Sequence, residues 1–432
     1  SKDGVREFTL PLTAVNSREE FRKNMSMYGV AVSKMEDIMQ YTTTWVNELQ
    51  ATTVADEAHK QFGWTDTECS SFVLGNQEIF KDRVEFNPPS SQTLSLFPAF
   101  EPKGTLEEWK KTINFYNRDG FELHQFIVGS SFGSALMQLS PINCAALHIH
   151  SKDSGVGKTT ALNAAVSVWG SPEELVMNKQ DTFNTKMHRG EIYHNLPLYM
   201  DELTNSEGTE LSNLVYQLTG GRQRGRMSGS SNAERYRGKP WKLLSVTTGN
   251  TSVIERIGTA KSMPKAEAQR MLEVKVDRLF TKSEDKESQD NFSAALGEHY
   301  GHAGKVYVQY VMSNLEASRK LINEVRVKVD KAAGLTSENR FWSAFATNTM
   351  AGLLLAKRAG LVEYDTGKVF KWAISMLKQN KNYVTDMNTS VEEVLNDYIH
   401  EHWSNVLWIK STDDLRKQNN NGLKCLMFLL LN

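Results

Sequence analysis

The sequence predicts an α/β fold: a central domain on a sheet with a parallel core, an α+β accessory region before it and a helical region after it. Three observations lead there. An apolar run, a glycine turn and an alanine-rich helical stretch follow one another across residues 144–169. Two further buried-strand patterns, 196–202 and 242–250, each end in polar residues, and helical periodicity dominates beyond about residue 291. Strands separated by helical stretches form βαβ units, which assemble parallel sheets. The 432 residues exceed what one core usually serves, so the chain is expected to divide into 1–104, 105–290 and 291–432.

Taken in order, residues 5–12 and 29–32 read as short strands. Residues 35–49 read as a helix, with Met35, Ile38, Met39, Trp45, Val46 and Leu49 at helical spacing. Trp64 reads as core filling and 71–75 as a strand closed by a turn. Pro88, Pro89, Pro98 and Pro102 make 86–104 a loosely packed connector. Two helices, 105–117 and 123–139, then lead to the glycine turn, either as a lid-like entry or as a plain helical hairpin. Farther on, 282–287 reads as a solvated charged loop, while 292–329, 340–355 and 391–403 read as helical. The apolar end at 418–432 has no assigned place.

Hydrophobic residues at 40%, charged residues at 23% and a formal net charge of −1 describe a globular protein without a uniformly basic surface. No apolar run approaches the ~20 residues of a membrane span, and no signal peptide is visible, so no membrane partner and a cytoplasmic location are expected. Cys69, Cys144 and Cys425 are far apart and lack metal-ligand spacing. The chain begins at Ser1 rather than Met, so neighbouring domains outside it are expected.

The organising stretch is SKDSGVGKTT, residues 151–160. Between a strand and a helix, such a turn can curl its backbone N–H groups around a polyphosphate, with the helix N-terminus adding positive potential. Ser154, Gly155, Val156, Gly157, Lys158, Thr159 and Thr160 are the candidate nucleotide-binding residues, with ATP as the expected ligand. Lys158 would reach the β/γ-phosphates and the Thr159 hydroxyl would take Mg²⁺. Only the second half of G-x-x-x-x-G-K-[ST] is met, since Lys152 stands where the first glycine belongs.

Asp201 and Glu202 end the next strand pattern, 43 residues after Lys158, about the chain length a compact βαβ arrangement uses. Asp201 would hold Mg²⁺ and Glu202 would orient and deprotonate the attacking water. Asn250 ends the third pattern, where it can bond the γ-phosphate or the water; alternatively Gly249-Asn250 is simply a turn. Arg270, just before the strand at 271–276, is the candidate arginine finger supplied across a subunit boundary, with Arg256 as the competing candidate. His148 and His150 read as core or strand-end histidines, because no third metal ligand stands nearby.

Residues 222–242 carry seven cations and one acid, interrupted by glycines, which favours a hairpin or loop over a helix. Arg222, Arg224 and Arg226 are the candidate nucleic-acid contacts, through salt-dependent bonds to phosphates. A solvated face, or contact with ATP at a subunit interface, are the other readings of this run.

Together the GVGKTT, DE, TTGN and AEAQRMLEVKV segments, with the earlier FGWTDTECSSFVLG, resemble the AAA+-like ATPase core of superfamily 3 helicases, and more closely a family of phage and plasmid replication ATPases often fused to primases. The resemblance spans about residues 62–276, and RFW at 340–342 resembles the helical tails of that family. It implies an ATP-driven, ring-forming replicative DNA helicase, hexameric, with the hairpin before the third motif pointing into a central channel to grip single-stranded DNA, a primase or primase-polymerase upstream and, if phage-encoded, a host cytoplasm as its location. Two other classes stay open: an AAA+-like ATPase that remodels protein or moves duplex DNA without unwinding, and a P-loop kinase or nucleotide switch.

Overall fold

A computed structural model describes residues 10–52, 59–153, 155–203, 206–225, 227, 234, 238–260, 264–276, 283–386, 398 and 400. The chain opens with α1 (Leu12–Val15), α2 (Arg18–Met27) and α3 (Met35–Thr52). The helix expected at 35–49 is present and extends to Thr52. Residues 29–32 form no strand, and Leu12 begins a helix rather than ending a strand; residues 5–9 lie outside the described residues. Capping explains the helix missed at 18–27: Ser17 accepts from the Glu20 N–H, and Glu19 and Glu20 occupy the positive first turn.

Next comes an antiparallel sheet of β1 (Gly63–Trp64), β2 (Phe72–Leu74), β3 (Gln77–Ile79) and β4 (Val84–Phe86), in sequence order. Trp64 pins it to the core. Its buried indole Nε1 donates to the Ala135 carbonyl at 2.8 Å, and its backbone N–H donates to Asn195 Oδ1 at 3.0 Å. A Cβ on Gly63 would stand 2.8 Å from that same oxygen, so the close approach requires glycine. The connector at 86–104 is not slack, as its prolines suggested. Phe100 is buried with its ring 4.6 Å from Phe62, and the Ala99 carbonyl accepts from Ser171 N–H at 2.8 Å.

After α4 (Leu106–Ile113) and α5 (Glu122–Leu136) the central sheet begins. Its strands β5 (Cys144–His150), β6 (Leu198–Met200), β7 (Leu243–Gly249) and β8 (Met271–Lys275) are all parallel, in the order β6-β7-β5-β8. Between β5 and β6 run α6 (Lys158–Val166), α7 (Pro172–Leu175) and α8 (Phe183–Tyr193). Then α9 (Gly208–Gly220) leads to β7, and α10 (Val253–Gly258) and α11 (Lys265–Ala268) lead to β8. β7 is buried along its whole length and β5 up to His150, which accounts for their continuous apolar runs.

The C-terminal part is helical: α12 (Ser283–Glu298), α13 (Ala303–Ser313), α14 (Leu315–Ala333), α15 (Arg340–Arg358) and α16 (Thr366–Asp386). The stretch expected as a loop at 282–287 is helical from Ser283. All but residues 398 and 400 of the helix expected at 391–403, and the whole tail at 418–432, lie outside the described residues. Ser1–Lys378 forms one compact unit and Gln379–Asn432 a second.

α5 is core rather than a lid, since every residue of 123–136 is buried. It crosses α15 at backbone contact. A Cβ on Gly133 would stand 2.5 Å from the Asn348 carbonyl oxygen, and one on Gly352 would stand 2.4 Å from Gly133 N. α15 thereby closes over α5 and β5. No described helix is long and apolar enough to cross a membrane.

Candidate functional site

β5 ends at His150, and the chain turns through Gly155 (φ 71°) and Gly157 (φ 86°) before α6 starts at Lys158. Both glycines occupy the left-handed region, which a side chain would strain. Buried Val156 anchors the turn; Ser154 lies outside the described residues. The unsatisfied N–H groups of the first turn of α6 thus lie at the C-terminal edge of the sheet, where open α/β sheets bind ligands. Lys158 Nζ donates to the carbonyls of Ser151 (3.1 Å) and Asp153 (3.4 Å). Burial holds its pKa below the ordinary lysine value, against the opposing pull of Asp201, Asp153 and Glu202. Thr159 beside it is exposed and Thr160 half-buried.

Asp201, directly after β6, joins three segments. Thr159 Oγ1 donates to its Oδ2 at 2.7 Å, and Thr248 Oγ1, from β7, donates to its Oδ1. The Glu202 N–H points back to Asp201 Oδ1 (3.1 Å) and Thr248 Oγ1 (3.2 Å). Glu202 itself has φ 55°, a conformation uncommon outside glycine and one that gathers at functional sites. Its carboxylate turns away to an ion pair with Lys179, Oε2 to Nζ 2.9 Å. The two adjacent acids therefore point to different partners. Among the described residues no group of three or more His, Cys, Asp and Glu could hold a metal. The Thr159 hydroxyl and the Asp201 carboxylate are nonetheless adjacent hard oxygen donors, a pair that suits an ion completed by water and phosphate oxygens.

Asn250 is exposed one residue past β7, at the same edge. Two side chains from neighbouring strands, buried His148 and half-buried Glu273, hold the turn that follows it. The Thr251 carbonyl can only accept, so His148 Nε2 carries the proton (3.0 Å) and Nδ1 accepts from Thr247 Oγ1 (2.8 Å). Glu273, paired with His148 in the β5–β8 register, takes bonds from Ser252 Oγ (2.5 Å), Val253 N–H (2.7 Å) and Ile254 N–H (3.1 Å). Burial pushes the His148 pKa down to about 3 and the Glu273 carboxyl up to about 7.

The remaining candidates are arginines. Arg270 precedes β8, at the opposite end of the strands from Lys158. Its guanidinium donates to Thr219 Oγ1 at 3.3 Å and lies 4.6 Å from the Tyr216 ring and 5.1 Å from the Phe341 ring. Arg256 is exposed on α10. Arg222 and Arg224 are exposed just after α9; Arg222 Nε donates to the Gly238 carbonyl (3.3 Å) and Arg224 Nη2 to Asn213 Oδ1 (2.9 Å). An antiparallel bridge between Met227 and Glu234 shows the chain doubling back. Arg226 lies outside the described residues.

Four site residues went unnoticed in the sequence. Thr248 stood inside the TTGN pattern, where the alternation marked a strand but not which hydroxyl meets Asp201. Lys179 and His124 carried no signal. His124 is buried on α5, with Nε2 3.7 Å from where a Cβ of Gly157 would be. Glu191, buried on α8, clamps the base of the basic segment: it accepts from Gln223 Nε2 (2.7 Å) and from Lys239 N–H (3.0 Å).

Residues 3–237 match the family model described as a domain of unknown function, DUF927, which is more than half of the chain. No curated protein matches. Among solved structures, one named "SCCmec type IV Cch - active helicase" superposes with a TM-score of 0.66 at 14% identity, covering 95% of this chain and 81% of that one. At that identity the likeness establishes a common fold.

Proposed function

The chain belongs to the DUF927 family, and we propose that it is an ATP-hydrolysing motor that assembles as a ring, a hexamer, and moves along single-stranded DNA. One observation carries this reading: the hydroxyls of Thr159 and Thr248 and the Glu202 N–H converge on Asp201, beside Lys158 and the glycine turn. The shared fold with a protein named as a helicase supports it.

In this reading Gly155 to Thr160 and the first turn of α6 cradle the triphosphate of ATP, and Lys158 exchanges its loop carbonyls for phosphate oxygens. Thr159 and Asp201 would hold Mg²⁺, which supplies charge neutralisation on the β- and γ-phosphates. Glu202 leaves Lys179 to orient and deprotonate the attacking water, and Asn250 bonds the γ-phosphate or that water. Arg270, held at the far end of the strands in its own chain, serves a neighbour's site, with Arg256 as the competing finger. Arg222, Arg224 and Arg226 grip the strand backbone. A replicative, phage-type role of the superfamily 3 kind, with an upstream primase and work in a host cytoplasm, completes the proposal.

Steady-state ATP hydrolysis with single-stranded DNA, duplex DNA or RNA, at low and moderate salt, tests it, with Lys158→Ala as the blank. Selective stimulation by single-stranded DNA that fades with salt is expected. Stimulation by duplex alone, or by no nucleic acid, would replace it with a remodelling or duplex-moving ATPase. Mixing Arg270→Ala with Glu202→Gln subunits should restore hydrolysis if the arginine acts in trans.

A further inference from the structure

A cavity of about 580 Å³ lies between α14, the turn that follows it, the start of α15 and the segment at 139–142 that leads into β5. It sits at the N-terminal end of the sheet, roughly 20 Å along β5 from the glycine turn at 3.3 Å per residue. Its size falls within the roughly 300–1,000 Å³ of small-molecule sites.

Its walls divide by chemistry. Leu139, Ile142, Ile322 and Leu335 offer an apolar surface, while Arg319, Arg326 and Arg340 face a single carboxylate, Asp330, among the described lining residues. Arg319 is engaged by Glu316 (3.5 Å) and Glu68 (3.9 Å), and Arg326 by the neutral Asn323 (2.8 Å). Arg340 lies over the Phe341 ring at 5.0 Å. Positive charge is therefore least compensated at Arg326 and Arg340, both exposed. Deeper in, Asp330 Oδ1, Thr347 Oγ1 and Asn348 Oδ1 are buried and make no hydrogen bond within the protein, although Thr347 and Asn348 are only 2% exposed. Folded proteins satisfy nearly all such groups, and those left over ask for a partner.

An occupant that matches these walls brings an anion for Arg326 and Arg340, a flat apolar body, and donor groups for Asp330 and Asn348. We propose that the cavity binds a nucleotide unit, with phosphate at the arginines, ring against the aliphatic wall, and amino or hydroxyl groups toward Asp330 and Asn348. The unit comes either as a free mononucleotide or as the phosphorylated end of a nucleic-acid strand.

Equilibrium binding to the full chain carrying Lys158→Ala, which disables the glycine turn, tests the proposal whether or not the chain hydrolyses ATP. The probes are the four ribonucleoside 5′-monophosphates and a short single-stranded oligonucleotide with and without a 5′-phosphate. Saturable binding is expected, weakened about tenfold or more by Arg326→Glu combined with Arg340→Glu, as for loss of charge-assisted phosphate contacts. Asn348→Leu should weaken it independently, and the exposed arginine pair keeps the test valid should that buried variant fail to fold. Binding of monophosphates alone supports a free ligand, and binding that requires the oligonucleotide 5′-phosphate supports a strand end. No saturable binding of any probe, or binding that the arginine pair leaves unchanged, overturns the proposal.

Discussion

The two ends of the same four strands are built on opposite principles. At the C-terminal end, hydroxyls, one backbone N–H and a lysine converge on Asp201 and its glycine turn, and each donor has named acceptors, two of them for Lys158 Nζ and for the Glu202 N–H. At the N-terminal end, Arg222 and Arg224 stand on the surface in a segment that a buried carboxylate, Glu191, ties down, and Arg270, farther along the chain, lies over aromatic rings. Chemistry on a phosphate needs fixed geometry, whereas gripping a polyanion needs charge on movable arms. In the proposed function, one sheet would therefore serve a site that requires stiffness and a site that requires reach, separated by the length of its strands.

The division can be broken or sharpened by experiment. The largest effect is expected from Glu202→Gln, which should lower ATP hydrolysis about 10²- to 10⁴-fold while leaving nucleotide binding, the usual span for loss of a general base. An unchanged rate would remove Glu202 from the proposed role. Glu191→Ala should lower stability to urea by about 1–3 kcal/mol, because it strands the partners of a buried carboxylate. It should also reduce stimulation by DNA and leave basal hydrolysis intact; a collapse of basal hydrolysis would show that the two ends are not independent.

Thr248→Val removes one donor to Asp201, and about 1.5 kcal/mol for a bond to a charged group corresponds to roughly tenfold in kcat. Full activity would mean that Asp201 needs only Thr159. The pH dependence of stability bears on the turn after Asn250. Glu273 has its folded pKa raised to about 7 from 4.5, so the stability it confers is complete below 4.5 and is lost as pH rises through 7. His148, lowered to about 3 from 6.5, acts in the other direction: its contribution is present above 6.5 and is lost as pH falls through 3. Urea unfolding at pH 5 and 7.5 should show wild type losing stability relative to Glu273→Gln as pH rises, by at most about 1.4 kcal/mol per pH unit. A constant gap would contradict that role. The smallest effect belongs to Arg222→Ala with Arg224→Ala, which should flatten the salt dependence of single-strand binding by about 1.4 in log–log slope, or 0.7 per phosphate contact. A slope that stays the same would place the strand elsewhere.

Much of the central domain was legible because its signals are local. A buried strand flanked by helices is apolar along its length, so β5, β6, β7 and β8 stood out, and the GVGKTT turn declared itself by composition. The N-terminal region misled because a few apolar residues do not by themselves specify a strand: Leu12 starts a short helix, 29–32 stays irregular, and the helix at 18–27 is set by the cap at Ser17. The charged start of α12 misled for a related reason: acids suit a loop and a helix N-terminus equally well. Helix α5 carried its answer in its glycines, but only α15, more than two hundred residues later, gives Gly133 something to touch.

By itself the sequence determined the α/β class, the parallel core, the glycine turn and the acid pair, since periodicity, turn chemistry and residue type act within a few positions along the chain. The tertiary structure alone decided that Thr248 and Thr159 meet on Asp201, that Lys179 holds Glu202, that Glu191 anchors the basic segment, and that Arg270 lies at the far end of the strands from Lys158. Each of these depends on which strands lie side by side and in which register. Register is set by the packing of the whole core, a property that no short stretch of residues contains.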